Sequence, residues 1–186
     1  MTKKHEGAGI DRKLHDPVKD KLPPVFPLDL SRTKSISDLV RGMADTAFTT
    51  WSAKRFYGAD ATAVTWRPVT SISLADTDGN PDTASDPAWL PLIDTPSHPE
   101  YPAGHPSLNG AAATVLLLHF EDAQTFTLTT AGQPNRIYAS ISQARQDGND
   151  ARFWGGMHYP STVIISDREG EDIAQYVNRN AMQASD

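Results

Sequence analysis

Apolar residues at Ile36, Leu39, Val40, Met43, Ala44, Ala47, Phe48 and Trp51 recur every three or four positions. That is the spacing of one helix face, and it predicts a helix starting near Ser35 or Ser37. The pattern fades over residues 58–65, which are small and β-branched, and Arg67-Pro68 marks a break because proline cannot continue a helix interior. Residues 76–102 are dense in Asp, Asn, Gly and Pro, which predicts a long ordered loop. The strongest helical pattern is 106–120, where Leu108, Ala111, Ala112, Val115 and Leu116 line one broad face and Pro106 suits the first turn. Residues 125–130 read as a short extended segment ending at Gly132. A helix over 139–146 is expected to stop at Gly148, and a last helix covers 167–182. No internal repeat is visible. The chain reads as mainly helical, with functional residues at helix ends and on loops.

Residues 1–30 break from this pattern. They are rich in Lys, Asp and His, end in Pro23-Pro24 and Pro27, and show no apolar face. They are expected to form a flexible or extended arm ahead of one domain over residues 31–186. A chain of 186 residues suits one domain with a single substantial core. Its formal net charge of −6 counts against non-specific nucleic-acid binding, which needs a basic surface. A small cationic site inside an acidic protein is still compatible with that charge. The absence of cysteine excludes disulfides, thiolate metal sites and cysteine nucleophiles, and leaves the redox compartment open. The longest apolar run, residues 115–118, is too short to span a bilayer. The charged first 22 residues lack the apolar core of a signal peptide. A cytoplasmic protein is therefore expected, unless the chain lacks the natural start of a longer one.

Three short segments carry candidate chemistry: Trp66-Arg67-Pro68-Val69-Thr70, then His98-Pro99-Glu100-Tyr101-Pro102-Ala103-Gly104-His105, then Ala151-Arg152-Phe153-Trp154-Gly155-Gly156-Met157-His158. Taken singly each has an ordinary explanation. An isolated Gly-His before a helix is more often a cap, and an Arg six residues from a His is more often a surface ion pair beside a packed imidazole. Together they supply two guanidiniums, two imidazoles and a helix N-terminus. That set can hold a tetrahedral oxyanion and do acid–base or nucleophilic work on it.

The order Arg-Pro, Pro-x-Gly-His, Arg-x5-His resembles the three-part signature shared by vanadium haloperoxidases and the type 2 phosphatidic acid phosphatase superfamily. The flanking text, including Ala75-Asp76-Thr77-Asp78-Gly79-Asn80-Pro81 and Gly155-Gly156-Met157-His158, is similar to the bacterial and plant haloperoxidase-like group over residues 51–176. The resemblance implies an all-α helical bundle with long ordered loops and an anion site at one end. It implies bound vanadate, with hydrogen peroxide, halide and a small organic molecule as substrates and hypohalous acid as product. His158 would be the axial ligand to vanadium, or the phosphorylated nucleophile in a phosphatase. Arg67 and Arg152 would neutralise the oxyanion, the Gly104 N–H would donate to it, and His105 would be the acid–base group.

Four departures from the family pattern bear on activity. The family's Lys stands seven residues before the Arg; here that position is Asp60, and Lys54 lies thirteen before Arg67. On a continuous helix that spacing puts Lys54 on nearly the opposite side, and a loop over residues 58–65 is what would return it to the site. Ala103 replaces the usual Ser, a loss of about 0.5–1.5 kcal/mol for one hydroxyl hydrogen bond. Thr162 stands where an Asp often fixes the tautomer of the histidine. Finally, the chain is short for the family, and reads as truncated. That predicts an open apolar surface and a homo-oligomer or a missing N-terminal partner region. Two alternatives accompany the haloperoxidase reading. One is an acid phosphatase working through a phosphohistidine; the other is a truncated homologue that binds an anion without catalysis. Phe153 and Trp154 lie near the site, but aromatics beside a helix end are more often core.

Overall fold

The computed structural model describes residues 33–59 and 64–180; the arm expected at 1–30, Asp60 and the end of the last helix past 180 lie outside them. Helix α1 runs Thr33–Gly58, α2 Pro68–Ser73, α3 Gly104–His119, α4 Ile141–Trp154 and α5 Pro160–Asn180. A single 3-10 turn covers Ala75–Thr77. Strands β1 (Phe126–Leu128) and β2 (Arg136–Tyr138) form an antiparallel hairpin in which Phe126 pairs with Tyr138. Only β1 was expected from the sequence, because three residues carry too little alternation to betray β2.

Helix α3 is central and packs against α1, α4 and α5. It can do so because its buried positions are small: Gly104, Ser107, Gly110, Ala111, Ala113 and Thr114. At its crossing with α5 the backbones nearly touch. A Cβ on Gly110 would lie 2.0 Å from the Asp167 carbonyl oxygen, and one on Gly170 would lie 1.8 Å from that of Ser107. Ala111, Val115 and Ala174 form the apolar centre of this crossing. Gly170→Val should therefore force the helices apart. We expect a loss of about 3 kcal/mol in a denaturant melt, at the upper end of overpacking costs because backbone cannot move aside.

The stripe that α1 turns inward is Asp38, Gly42, Thr46, Thr50 and Lys54, spaced by four throughout. It is polar and small. The apolar face that revealed this helix is split: Leu39 packs on the Ala111–Val115–Ala174 centre, while Val40 is 63% and Phe48 77% exposed. Two of these buried polar groups meet partners distant in sequence: Asp38 takes a 3.1 Å bond from His119, and Thr50 Oγ1 donates to Glu169 at 3.5 Å; the Thr46 hydroxyl has no partner among the described residues. A groove of about 390 Å³ between α1 and α5, lined by Phe48, Ile173, Tyr176 and Val177, continues the exposed apolar face.

Helix α4 corrects the expected stop at Gly148. It starts at Ser140, whose Oγ accepts from the Gln143 N–H at 3.0 Å. It then runs through Gly148 to Trp154. Gly148 is there for close approach, since a Cβ would meet the Asn109 side chain at 2.5 Å. The extension puts Arg152 in the last helical turn. Helix α5 likewise begins earlier than the sequence pattern suggests, at Pro160, which suits a first turn. Among the described residues no helix is long and apolar enough to cross a membrane.

Candidate functional site

The ends of four elements meet at one end of the bundle. Lys54 comes from the C-terminal part of α1, Arg67 caps the N-terminus of α2, Gly104 and His105 open α3, Arg152 closes α4, and His158 stands in the turn before α5. The expected loop of residues 76–102 supplies the floor through residues 98–102. It docks on α1 where Gly58 leaves room for Pro99, and on the turn at Gly156 (φ 75°), where a Cβ would lie 2.7 Å from the ring of Trp89.

Two cations clamp that floor. Lys54, 2% exposed, donates from Nζ to the carbonyl oxygens of Pro99 at 2.7 Å and Glu100 at 3.4 Å. Arg67 donates from one terminal nitrogen to Met157 O (2.8 Å) and from the other to His98 O (3.0 Å) and Pro99 O (3.2 Å). The helix break between Gly58 and Pro68 thus brings Lys54 and Arg67 to the same carbonyl. Burial and the neighbouring Arg67 charge lower the Lys54 pKa to about 8. Burial also lowers that of Arg67, and Arg152 adds to this by repulsion.

His158 is held from both sides. Its Nδ1 lies 2.9 Å from Glu100 Oε1 and its Nε2 lies 3.3 Å from a terminal nitrogen of Arg67. A guanidinium has no acceptor, so Nε2 offers its lone pair and Nδ1 carries the proton. Burial depresses the pKa of this imidazole more than the Glu100 hydrogen bond raises it, which keeps the ring neutral near pH 7. Glu100, 1% exposed, also accepts from Tyr159 N (3.3 Å) and Thr162 Oγ1 (3.0 Å).

His105 stands exposed on the first turn of α3, its pKa lowered by partial burial and then by Arg152, His98 and Lys54. Gly104 beneath it is packed against the Trp51 ring, which a Cβ would meet at 2.7 Å. The first-turn N–H groups of an α-helix have no intrahelical acceptor and point out of its end. Arg152 has no side-chain hydrogen bond to any described residue, and its Nε and that of Arg67 are buried without partners. Lys54, Arg67, Arg152 and a helix N-terminus therefore meet at one place, and the two guanidiniums each keep a buried Nε–H that the described residues do not satisfy. Of the carboxylates beside Lys54, Glu100 is turned to His158, Tyr159 and Thr162, and Glu169 accepts from Thr50 and Ser107. Such a donor set fits a tetrahedral oxyanion.

Comparison with known proteins gives the family of the chain. The family profile described as VCPO second helical-bundle domain matches residues 36–186. The chain belongs to this family. Solved structures similar to it include a bacterial vanadium-dependent iodoperoxidase, with 28% identity and a TM-score of 0.66, matching 82% of this chain and 34% of that one. They also include an apo-type bacterial vanadium-dependent chloroperoxidase, at 23% identity and a TM-score of 0.56, matching 76% of this chain and 36% of that one. The second likeness is one of fold. The chain spans about a third of the length of these solved chains. No curated protein sequence matches it. The helical architecture expected from the motifs is thus that of the vanadium haloperoxidases, and this chain is a haloperoxidase-like domain.

Within this haloperoxidase-like frame, two features were not read from the sequence. Glu100 lies inside the second motif, yet nothing marked it as the partner of His158, 58 residues away. The available signal was indirect: with Thr162 in the usual Asp position, some other acceptor had to orient the imidazole. Phe153 and Trp154 stack edge-on at 4.9 Å and are not core; Trp154 is 71% exposed.

The depressed Lys54 pKa gives the site a pH dependence. Lys54 is charged below about pH 8 and neutral above it, so it attracts an anion only in the lower range. Sulfate, whose charge does not change there, should bind about three- to tenfold more weakly at pH 9 than at pH 7. Lys54→Met should weaken binding at pH 7 and flatten the profile. Calorimetric titration across that range would show it, and a profile unchanged by the substitution would place the titration elsewhere.

Proposed function

We propose that this chain is the catalytic domain of a vanadate-dependent haloperoxidase that oxidises halide with hydrogen peroxide to hypohalous acid. The observation that carries this reading is Arg152, a half-buried guanidinium without a hydrogen-bond partner among the described residues, set beside Arg67, Lys54 and the lone pair of His158. Lys54, Arg67, Arg152 and the Gly104 N–H would hold the oxyanion, and His158 Nε2 is the nitrogen available to its central atom. Bound vanadate would supply the Lewis-acid centre that activates hydrogen peroxide towards halide.

The remaining roles belong to the chain. His105 is neutral near pH 7 and accessible, so it can take a proton from peroxide at the mouth of the site and return one later. Lys54 and Arg67, fixed on the Pro99 carbonyl, keep positive charge in place without rearrangement when negative charge arrives. His158, fixed by Glu100, cannot turn its protonated nitrogen towards the site.

The test is bromide-dependent halogenation of a phenolic dye by purified protein and peroxide, before and after addition of orthovanadate. Turnover that appears only with vanadate is the expected result. Hydrolysis of an aryl phosphate without halogenation would replace this reading with phosphohistidine chemistry at the same Nε2. A second reading is favoured by the bare apolar face of α1 and its groove with α5. In it the domain binds the oxyanion but turns over only when a partner region or a second copy covers that face. Vanadate binding without either activity would support it.

A further inference from the structure

We propose that Glu100 is the positioning residue for His158, fixing the imidazole as the Nδ1–H tautomer and committing the Nε2 lone pair to the anion site. The case rests on geometry. The carboxylate is buried, and Oε1 sits 2.9 Å from Nδ1. Both oxygens are held: Oε1 also accepts from the Tyr159 N–H, and Oε2 accepts from the Thr162 hydroxyl at 3.0 Å. A carboxylate held in this way has little freedom to swing off the ring. On the opposite edge Arg67 can only donate, so its 3.3 Å approach to Nε2 requires the same tautomer independently.

The unit also explains Thr162. On the first turn of α5, four residues after His158, it does not touch the ring but clamps the carboxylate that does. The acid that meets the ring is carried by the loop that also carries Pro99. Lys54 and Arg67 grip the same loop through the Pro99 carbonyl, so the positions of cations and imidazole are set together. If Glu100 acts through His158, its removal should change the ring before it changes the fold.

As a role in oxyanion binding this rests on the proposed function, but its test separates the two. The ring nitrogens of His158 would be assigned by 15N NMR in the full chain, in Glu100→Gln and in Glu100→Ala, with vanadate affinity and melting followed alongside. In the unsubstituted protein we expect a protonated Nδ1 and a bare Nε2. Glu100→Gln keeps an acceptor and should keep that tautomer, while vanadate affinity falls about ten- to a hundredfold. Glu100→Ala should give mixed tautomers and weaker binding still. A ring protonated at Nε2 in the unsubstituted protein would overturn the proposal. So would a folded Glu100→Gln with unchanged affinity, or an alanine variant that keeps the single tautomer. If the unsubstituted protein binds no vanadate, the haloperoxidase reading fails, and the ring nitrogens still decide the role of Glu100.

Discussion

His158→Ala is expected to abolish vanadate binding at concentrations that saturate the unsubstituted protein. The other groups of the site would attract an oxyanion through charge and hydrogen bonds, whereas His158 Nε2, 3.3 Å from Arg67, offers it a nitrogen lone pair; His98 Nδ1, 3.2 Å from the same guanidinium, also lies 3.2 Å from the Pro99 carbonyl oxygen. If His158 ligates vanadate as proposed, exchange of that nitrogen for a methyl would remove the interaction that distinguishes vanadate from sulfate. Sulfate should therefore still bind the variant within about tenfold, since the cations remain. The substitution also leaves Glu100 buried with two of its three donors. A stability loss of about 2 kcal/mol is expected, from one charge-assisted hydrogen bond removed inside the protein. Equilibrium dialysis with vanadium analysis, run beside circular dichroism, separates the two effects. Stoichiometric vanadate binding by the folded variant would remove His158 as the ligand.

What the sequence disclosed follows from how local each signal was. The three motifs name Arg67, Gly104, His105, Arg152 and His158 because each carries its own neighbours: a proline, a helix start, a Gly-Gly turn. Lys54 was ambiguous because its place depends on the chain leaving the helix axis at Gly58, which spacing alone does not reveal. Glu100 was missed because its meaning lies wholly in a contact 58 residues away. Gly148 was misread as a stop because a glycine that ends a helix and one that admits a neighbour look alike in one sequence.

Helix α1 shows a different limit. Its apolar periodicity located the helix, but the fully buried stripe is the polar one beside it. The inward stripe from Asp38 to Lys54 is polar because it leads into the site and meets His119 and Glu169 on the way. Hydrophobic pattern predicts burial when water is the only alternative environment. Here Val40, Phe48 and Phe56 stay exposed among the described residues, while polar side chains fill the fully buried stripe. The same logic accounts for α3, whose small residues serve backbone contact with α5 more than apolar burial.

Arg67 joins these two demands, and its substitution should have the widest consequences. Its two terminal nitrogens bind the carbonyl oxygens of Met157, His98 and Pro99 and touch Nε2 of His158. Arg67→Ala would take this donor from the carbonyl oxygens of Met157 and His98, leave Pro99 O to Lys54, and uncouple the loop at residues 98–100 from the turn at 157–158. The expected cost is about 3 kcal/mol of stability, with vanadate affinity lower by about a hundredfold or more. Arg67→Lys separates charge from shape. An ammonium retains the charge but is a compact point donor, and cannot span both carbonyl groups while leaving an Nε–H for the anion. If the fork matters, the lysine variant should recover part of the stability and bind sulfate at least about fivefold more weakly than the arginine protein. Equal binding would mean that Arg67 contributes charge alone, and that the unpartnered Nε–H of Arg152 carries the directional recognition.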